Sequence, residues 1–182
     1  MEFTGDELAG IVDLFGGLTR AELREAAGEA AFRAGEELDE DALAAAVEDA
    51  VESYRLVAYD PPDEDGEWLV AGPTAFPTLP EGAEDLPHIV DVERRAVDRE
   101  RAGEAVIERF RRDAAITVDA GDADRAAWLL DLSYDVETWA PVEMGEVRDR
   151  LDDATEGGSV AAGPGEGSAD GDPGEGSADG DG

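Results

Sequence analysis

The residues able to do chemistry in this chain are few in kind. The 182 residues contain no Cys and no Lys, and one His, His88. Without Cys there is no thiolate nucleophile, thiolate zinc site, iron–sulfur ligation or disulfide. Without Lys there is no Schiff base and no lysine for a phosphate-binding loop. One His cannot build a His-rich metal site within one chain. His88 follows Pro87 and precedes Ile89-Val90, with no marked partner to orient it for proton transfer, so a structural or exposed role is expected. Of the Ser residues Ser53, Ser133, Ser159, Ser168 and Ser177, none sits in a nucleophile elbow. Asp63-Glu64-Asp65-Gly66 has part of a calcium-loop pattern, but the first ligand position falls on Pro61 and the twelfth on Gly72, which rejects an EF-hand. With 48 Asp and Glu, chance carboxylate pairs single out nothing. Carboxylate catalysis stays open, and no cofactor or metal is expected.

All 14 basic residues are Arg, and half lie in one stretch: Arg94, Arg95, Arg99, Arg101, Arg109, Arg111 and Arg112. Only Asp98, Glu100, Glu104 and Glu108 oppose them, so the stretch is locally +3. Such a segment suits docking of an acidic partner or a nucleic acid, with Arg101, Arg109 and Arg112 as the candidate patch. A solvated helix laced with the pairs Arg101–Glu104, Glu108–Arg112 and Arg109–Asp113 is the favoured reading, because charged helix faces are usually just solvated.

The elements that must position these groups are mainly helical. Thr4-Gly-Asp-Glu7 is a capping box, with Phe3 and Leu8 placed as its hydrophobic staple. Leu8, Ile11, Val12 and Phe15 then recur at helical spacing until Gly16-Gly17. Thr19-Arg-Ala-Glu22 repeats the device, followed by Leu23, Ala26, Ala27, Ala30 and Ala31, and Gly35 ends the run. A third helix starts at Asp39, with Leu43, Val47, Ala50, Val51 and Tyr54 as its apolar face. Leu56–Tyr59 and Trp68–Val70 read as short strands around the turn-rich Asp60–Gly66. Residues 72–97 form a connector in which Pro73, Pro77, Pro80 and Pro87 prevent regular structure, and Phe76, Leu79, Leu86 and Ile89 are expected to pin it. Helices then run from about Asp98 to Ala120, from Asp122 to about Trp139, and from about Glu143 to Ala154. Trp68, Trp128, Trp139, Tyr54, Tyr59 and Tyr134 are the large side chains of an Ala-rich body, and core anchoring is their expected use.

The fold class is therefore mainly α with one small β-hairpin. The first 71 residues have the order of a winged helix, and 98–155 form a helical second half. A DNA-reading winged helix meets phosphates with basic side chains on its third helix. Here Asp39–Ser53 carries Asp39, Glu40, Asp41, Glu48, Asp49 and Glu52 and no basic residue. The wing, with Asp60, Asp63, Glu64, Asp65 and Glu67, is equally acidic. DNA binding is thus disfavoured by charge, and the winged-helix order suits packing or protein contacts better.

The net charge is −34. Self-repulsion of that size opposes a compact state in dilute buffer, and molar salt, with a Debye length of about 3 Å, removes most of it. High acid content, Arg in place of Lys and abundant Ala point to a salt-saturated cytoplasm. Leu, Ile, Val and Phe total 37 of the 182 residues, near the level of disordered chains. That reading suits the last residues and not the periodic segments. From 156 to 182 the chain is acidic and Gly-rich, with Pro164-Gly-Glu-Gly-Ser-Ala-Asp-Gly-Asp172 repeated from Pro173 to Asp181. A disordered tail is expected there, outside a single folded body over 1–155. No run of about 18 apolar residues exists, so no membrane span is expected. The acidic start, Met1-Glu2-Phe3-Thr4-Gly5-Asp6, does not suit a signal peptide, so a cytoplasmic location is expected.

Three stretches carry a family resemblance: Thr4-Gly-Asp-Glu-Leu-Ala-Gly-Ile-Val-Asp-Leu-Phe-Gly-Gly-Leu-Thr-Arg-Ala-Glu-Leu23, Gly72-Pro-Thr-Ala-Phe-Pro-Thr-Leu-Pro80 and Trp139-Ala-Pro-Val142. Over about 1–155 the chain resembles a haloarchaeal family of uncharacterised proteins, a domain of unknown function. The resemblance implies a cytosolic haloarchaeal protein and assigns no activity or functional residue. The leading expectation is a non-enzymatic protein-interaction or regulatory module. The alternative is a winged-helix transcription regulator, and an enzyme comes third.

Overall fold

The two capping boxes set the first two helices. In the computed structural model, which describes residues 1–62 and 66–160 with the side chains of 156–160 left aside, Thr4 caps α1 (Gly5–Phe15). The Glu7 backbone N–H donates to the Thr4 hydroxyl at 3.2 Å, and the Thr4 N–H donates to the Glu7 carboxylate at 2.8 Å. Thr19 and Glu22 repeat the exchange at α2 (Arg20–Ala34), at 3.2 and 2.7 Å. Gly35 ends α2 in the left-handed region, φ 76°. Asp39 caps α3 (Glu40–Glu52), accepting the Ala42 N–H at 3.0 Å.

Strands β1 (Leu56–Tyr59) and β2 (Trp68–Ala71) pair antiparallel, with Leu56 opposite Ala71 and Tyr59 opposite Trp68. Leu18, between α1 and α2, adds a one-residue bridge to Leu69, with N···O distances of 3.0 and 2.7 Å. The order is therefore α1, bridge, α2, α3, β1, β2. The second half holds α4 (Arg99–Ala120), α5 (Ala123–Trp139) and α6 (Gly145–Val160). The protein is mainly α with one small hairpin. No helix among the described residues is long and apolar enough to cross a membrane.

Two apolar clusters share the hairpin as a wall. Leu56 and Leu69 pack with Phe3, Leu8, Ile11, Phe15, Leu23 and Leu43 of the first three helices and their approaches. Val57, Tyr59, Trp68 and Val70 pack with Val106, Phe110, Leu129, Val136 and Leu151 of the last three. Alternate residues of a strand point to opposite faces. This hairpin is buried on both faces, which explains its unbroken apolar runs.

The connector is held differently from the sequence expectation. Of Phe76, Leu79, Leu86 and Ile89, only Leu86, in a 3₁₀ turn at Leu86–His88, is buried; Phe76 is 79% exposed. Ala83 and Val90 are the other apolar pins. The reason is that backbone, and not side chains, lies against α1. The Thr78 N–H donates to the Asp6 carbonyl at 3.1 Å, the Phe76 N–H to the Asp6 carboxylate at 3.1 Å, and the Arg95 N–H to the Phe15 carbonyl at 2.7 Å. The neighbouring side chains are thereby turned outward.

Helix α6 runs to Val160, five residues past the boundary expected at 155. The wing-tip acids Asp63, Glu64 and Asp65 and the repeats within 161–182 lie outside the described residues.

Candidate functional site

Two polar assemblies join the halves, and both are built around an Arg from the Arg-rich stretch. The first lines a cleft of about 590 Å³ between the start of α2, the base of the hairpin and the end of the connector, with Glu22, Tyr59, Trp68, Arg94, Arg95 and Asp98 on its walls. The α2 capping box fixes Glu22. The strand register sets the Tyr59 and Trp68 rings edge to face, centroids 6.2 Å apart. The guanidinium of Arg95 lies 4.5 Å over the Trp68 ring. It donates to both Glu22 carboxylate oxygens, at 2.6 and 2.8 Å, and to the Gly17 carbonyl at 3.0 Å.

These contacts fix the protonation states. Hydrogen bonds from Arg95 outweigh burial and, with the Thr19 groups, hold the Glu22 pKa down at about 2. Glu22 is thus ionised and bound, unsuited to acid or base work near neutrality. Burial pushes the Tyr59 phenol up, so it stays protonated. The cleft offers charge and an aromatic wall for recognition. Its principal role in the fold is to clasp the connector to the base of the wing.

The second assembly sits at the end of α3. Tyr54 has φ 60°, a left-handed conformation unfavourable for a bulky residue. Its hydroxyl donates to Asp113 at 2.7 Å, and burial together with that carboxylate raises its pKa. Arg109 donates to the Val51 carbonyl at 2.5 Å, lies 4.5 Å over the Tyr54 ring and stands 3.6 Å from Asp113. Arg109 therefore ties α4 to the α3–β1 junction.

The three residues singled out by sequence consequently do not share one environment. Arg109 is half-buried and turned inward. Arg101 and Arg112 are exposed, each beside a Glu of its own helix: Glu104 at 3.6 Å and Glu108 at 3.4 Å. Eleven residues separate them, which on a helix places them about 20° apart in azimuth and ~16 Å apart along the axis. Arg111 and Ile116 are also exposed on α4. Among the described residues, no carboxylate lies within ion-pair distance of Arg111.

The third helix keeps the sign read from its sequence. Glu40, Asp41, Glu48, Asp49 and Glu52 are all exposed. Basic groups of α2 turn toward this acidic face: Arg20 reaches Glu48 at 2.6 Å and Arg24 reaches Glu40 at 3.9 Å. No basic residue lies on α3 itself. His88 is exposed on the 3₁₀ turn. Among the described residues, no group of three or more His, Asp or Glu is placed to hold a metal ion.

Residues 6–156 match a protein family described as a family of unknown function (DUF7109). The chain belongs to this family. The DUF7109 match starts one residue into α1, takes in α2 to α5 and both strands, ends within α6 and does not include the acidic repeats. Neither curated proteins nor solved structures provide a match. Within the DUF7109 fold, the Glu22–Arg95 clasp is what sequence reasoning missed. Its partners are 73 residues apart, and no spacing rule connects a helix cap to an Arg in a connector. The only signals were Glu22 in a capping box and an Arg just before α4.

Proposed function

We propose that this member of the DUF7109 family is a non-enzymatic interaction or regulatory module, working in the cytosol of a haloarchaeon and engaging an acidic partner protein through the outward face of α4. One observation carries the reading. Arg101 and Arg112 stand exposed on neighbouring azimuths of one helix, interleaved with the exposed Glu104, Glu108 and Asp119, in a chain of net charge −34. Exposed Arg on an acidic protein suits an acidic partner, and Arg is favoured at interfaces for its fork of donors and its stem. The winged-helix order serves packing in this reading, since both hairpin faces are buried and α3 is acidic. The salt argument and the family resemblance support the haloarchaeal and cytosolic setting.

The test is affinity capture from a haloarchaeal lysate in molar KCl, with the wild-type chain and Arg101→Glu/Arg112→Glu as baits. A stoichiometric acidic partner retained by the wild type and lost by the variant is expected, with equal circular dichroism for the two baits. Equal recovery by both would remove α4 as the contact face.

A further inference from the structure

We propose that the outward face of α4 docks, antiparallel, on the same face of a second copy of this chain, about a two-fold axis on the side opposite Phe110. The proposal rests on the reading of α4 as a contact face and names an occupant for it, since a chain of net charge −34 is itself an acidic protein.

The order of charges along the helix carries it. Arg101, Glu104, Glu108, Arg112, Ile116 and Asp119 are exposed, and Phe110, near the middle of α4, is fully buried. At about 100° per residue, all six lie within ~60° of the direction opposite Phe110. A two-fold axis along that direction sets the residue n places before 110 in one copy against the residue n places after it in the other. Glu108 then faces the partner's Arg112, and Arg101 faces the partner's Asp119, each contact being made twice. A parallel pairing would set every charge against its own kind. Ala105 meets the partner's Ala115, and both are small and half-buried, so the helices can approach closely. Glu104 meets Ile116 and keeps Arg101 of its own helix at 3.6 Å. Arg111 lies outside the stripe, about 80° from its centre, and turns to a cleft it shares with Glu137, Glu143 and Glu146.

Within one copy, Glu108 and Arg112 stand 3.4 Å apart. Two such pairs meeting at the axis close a ring of alternating sign, and a network of charges counts where an isolated exposed pair does not. One helix against one helix buries less than ~1,000 Å², so the dimer is weak and reversible. Salt decides when it forms. Repulsion between two copies of net charge −34 acts over distance, whereas the charges of the ring are in contact. A Debye length of about 3 Å, as in 1 M salt, removes the first and keeps much of the second.

Sedimentation equilibrium of the full-length protein in molar KCl tests this. The weight-average mass should rise about 1.5-fold or more above 19.1 kDa between about 10 μM and about 1 mM protein. Glu108→Arg alone and Arg112→Glu alone, each with the circular dichroism of the wild type, should stay monomeric, because each sets like charges face to face. An equimolar mixture of the two should regain the dimer, because the positive pair of one variant then faces the negative pair of the other. A wild type that stays monomeric, a single variant that dimerises, or a mixture that does not, overturns the proposal. Glu108→Arg adds positive charge to the face, so it should still capture an acidic partner of another kind. Such capture with a monomeric wild type would keep the partner reading and overturn this one. Self-association by the pattern above, with nothing else captured, would do the reverse.

Discussion

Arg95 reaches back 73 residues to grip Glu22 through both carboxylate oxygens, at 2.6 and 2.8 Å, while its guanidinium covers the Trp68 ring. The same Glu22 closes the capping box of α2, accepting the Thr19 N–H at 2.7 Å. One carboxylate thus fixes the start of a helix, the end of the connector and the base of the hairpin. The side chains of Arg95 and Glu22 are 19% and 24% exposed, so solvent screens the pair only in part.

The clasp should make stability depend on acid in a defined window. The folded-state pKa of Glu22 lies at about 2, below the ordinary value of 4.5. A lowered carboxylate pKa contributes stability that is fully present above the unfolded value and lost as pH falls through the folded one. The stability gap between wild type and Glu22→Gln should therefore be full above pH 4.5 and close as pH approaches 2. Chemical denaturation of both proteins across that range, at constant KCl, checks it; a gap independent of pH would contradict the assignment.

Two helical glycines should respond oppositely to a methyl group. A Cβ on Gly10 would overlap the carbonyl of Thr78, where the connector crosses α1. Gly10→Ala should destabilise by about 1–3 kcal/mol. On Gly28 the nearest atom is Leu38 Cδ2 at 3.7 Å, an ordinary contact. Gly28→Ala should stabilise by about 0.5–1 kcal/mol, as Ala does in a helix interior. Thermal melts of the two variants give the signs.

The arginines of α4 should divide into two classes. Arg109→Ala removes a charged hydrogen bond to Val51 and the cover of Tyr54. A loss of about 2 kcal/mol is expected. Arg101→Ala and Arg112→Ala break only exposed pairs, and each should stay within about 0.5 kcal/mol of wild type. Equal losses for all three would contradict the division between an inward and an outward Arg.

Salt should govern the whole body. With net charge −34, lowering salt from 1 M to 0.01 M lengthens the Debye screening from about 3 Å to ~30 Å. Dialysis into dilute buffer should cost helicity, measured by circular dichroism, and return to molar KCl should restore it. An unchanged spectrum and melting curve would contradict adaptation to brine.

The amino-acid order by itself determined where α1 to α5 begin and where α1, α2 and α4 end, though not where α6 ends. Caps act within one turn, so Thr4, Thr19, Asp39 and Asp122 and the glycines at 16, 35 and 121 could be read locally. It also determined the hairpin and the acidic sign of α3. Periodicity says which residues share a face; it does not say what covers that face. Only the tertiary structure decided that both hairpin faces are buried, that Arg109 turns inward while Arg101 and Arg112 turn out, and that Phe76 is exposed while its backbone is pinned. The clasp between Arg95 and Glu22 belongs to the same class, because a contact across 73 residues is set by how packed layers meet and leaves no periodic trace in the chain.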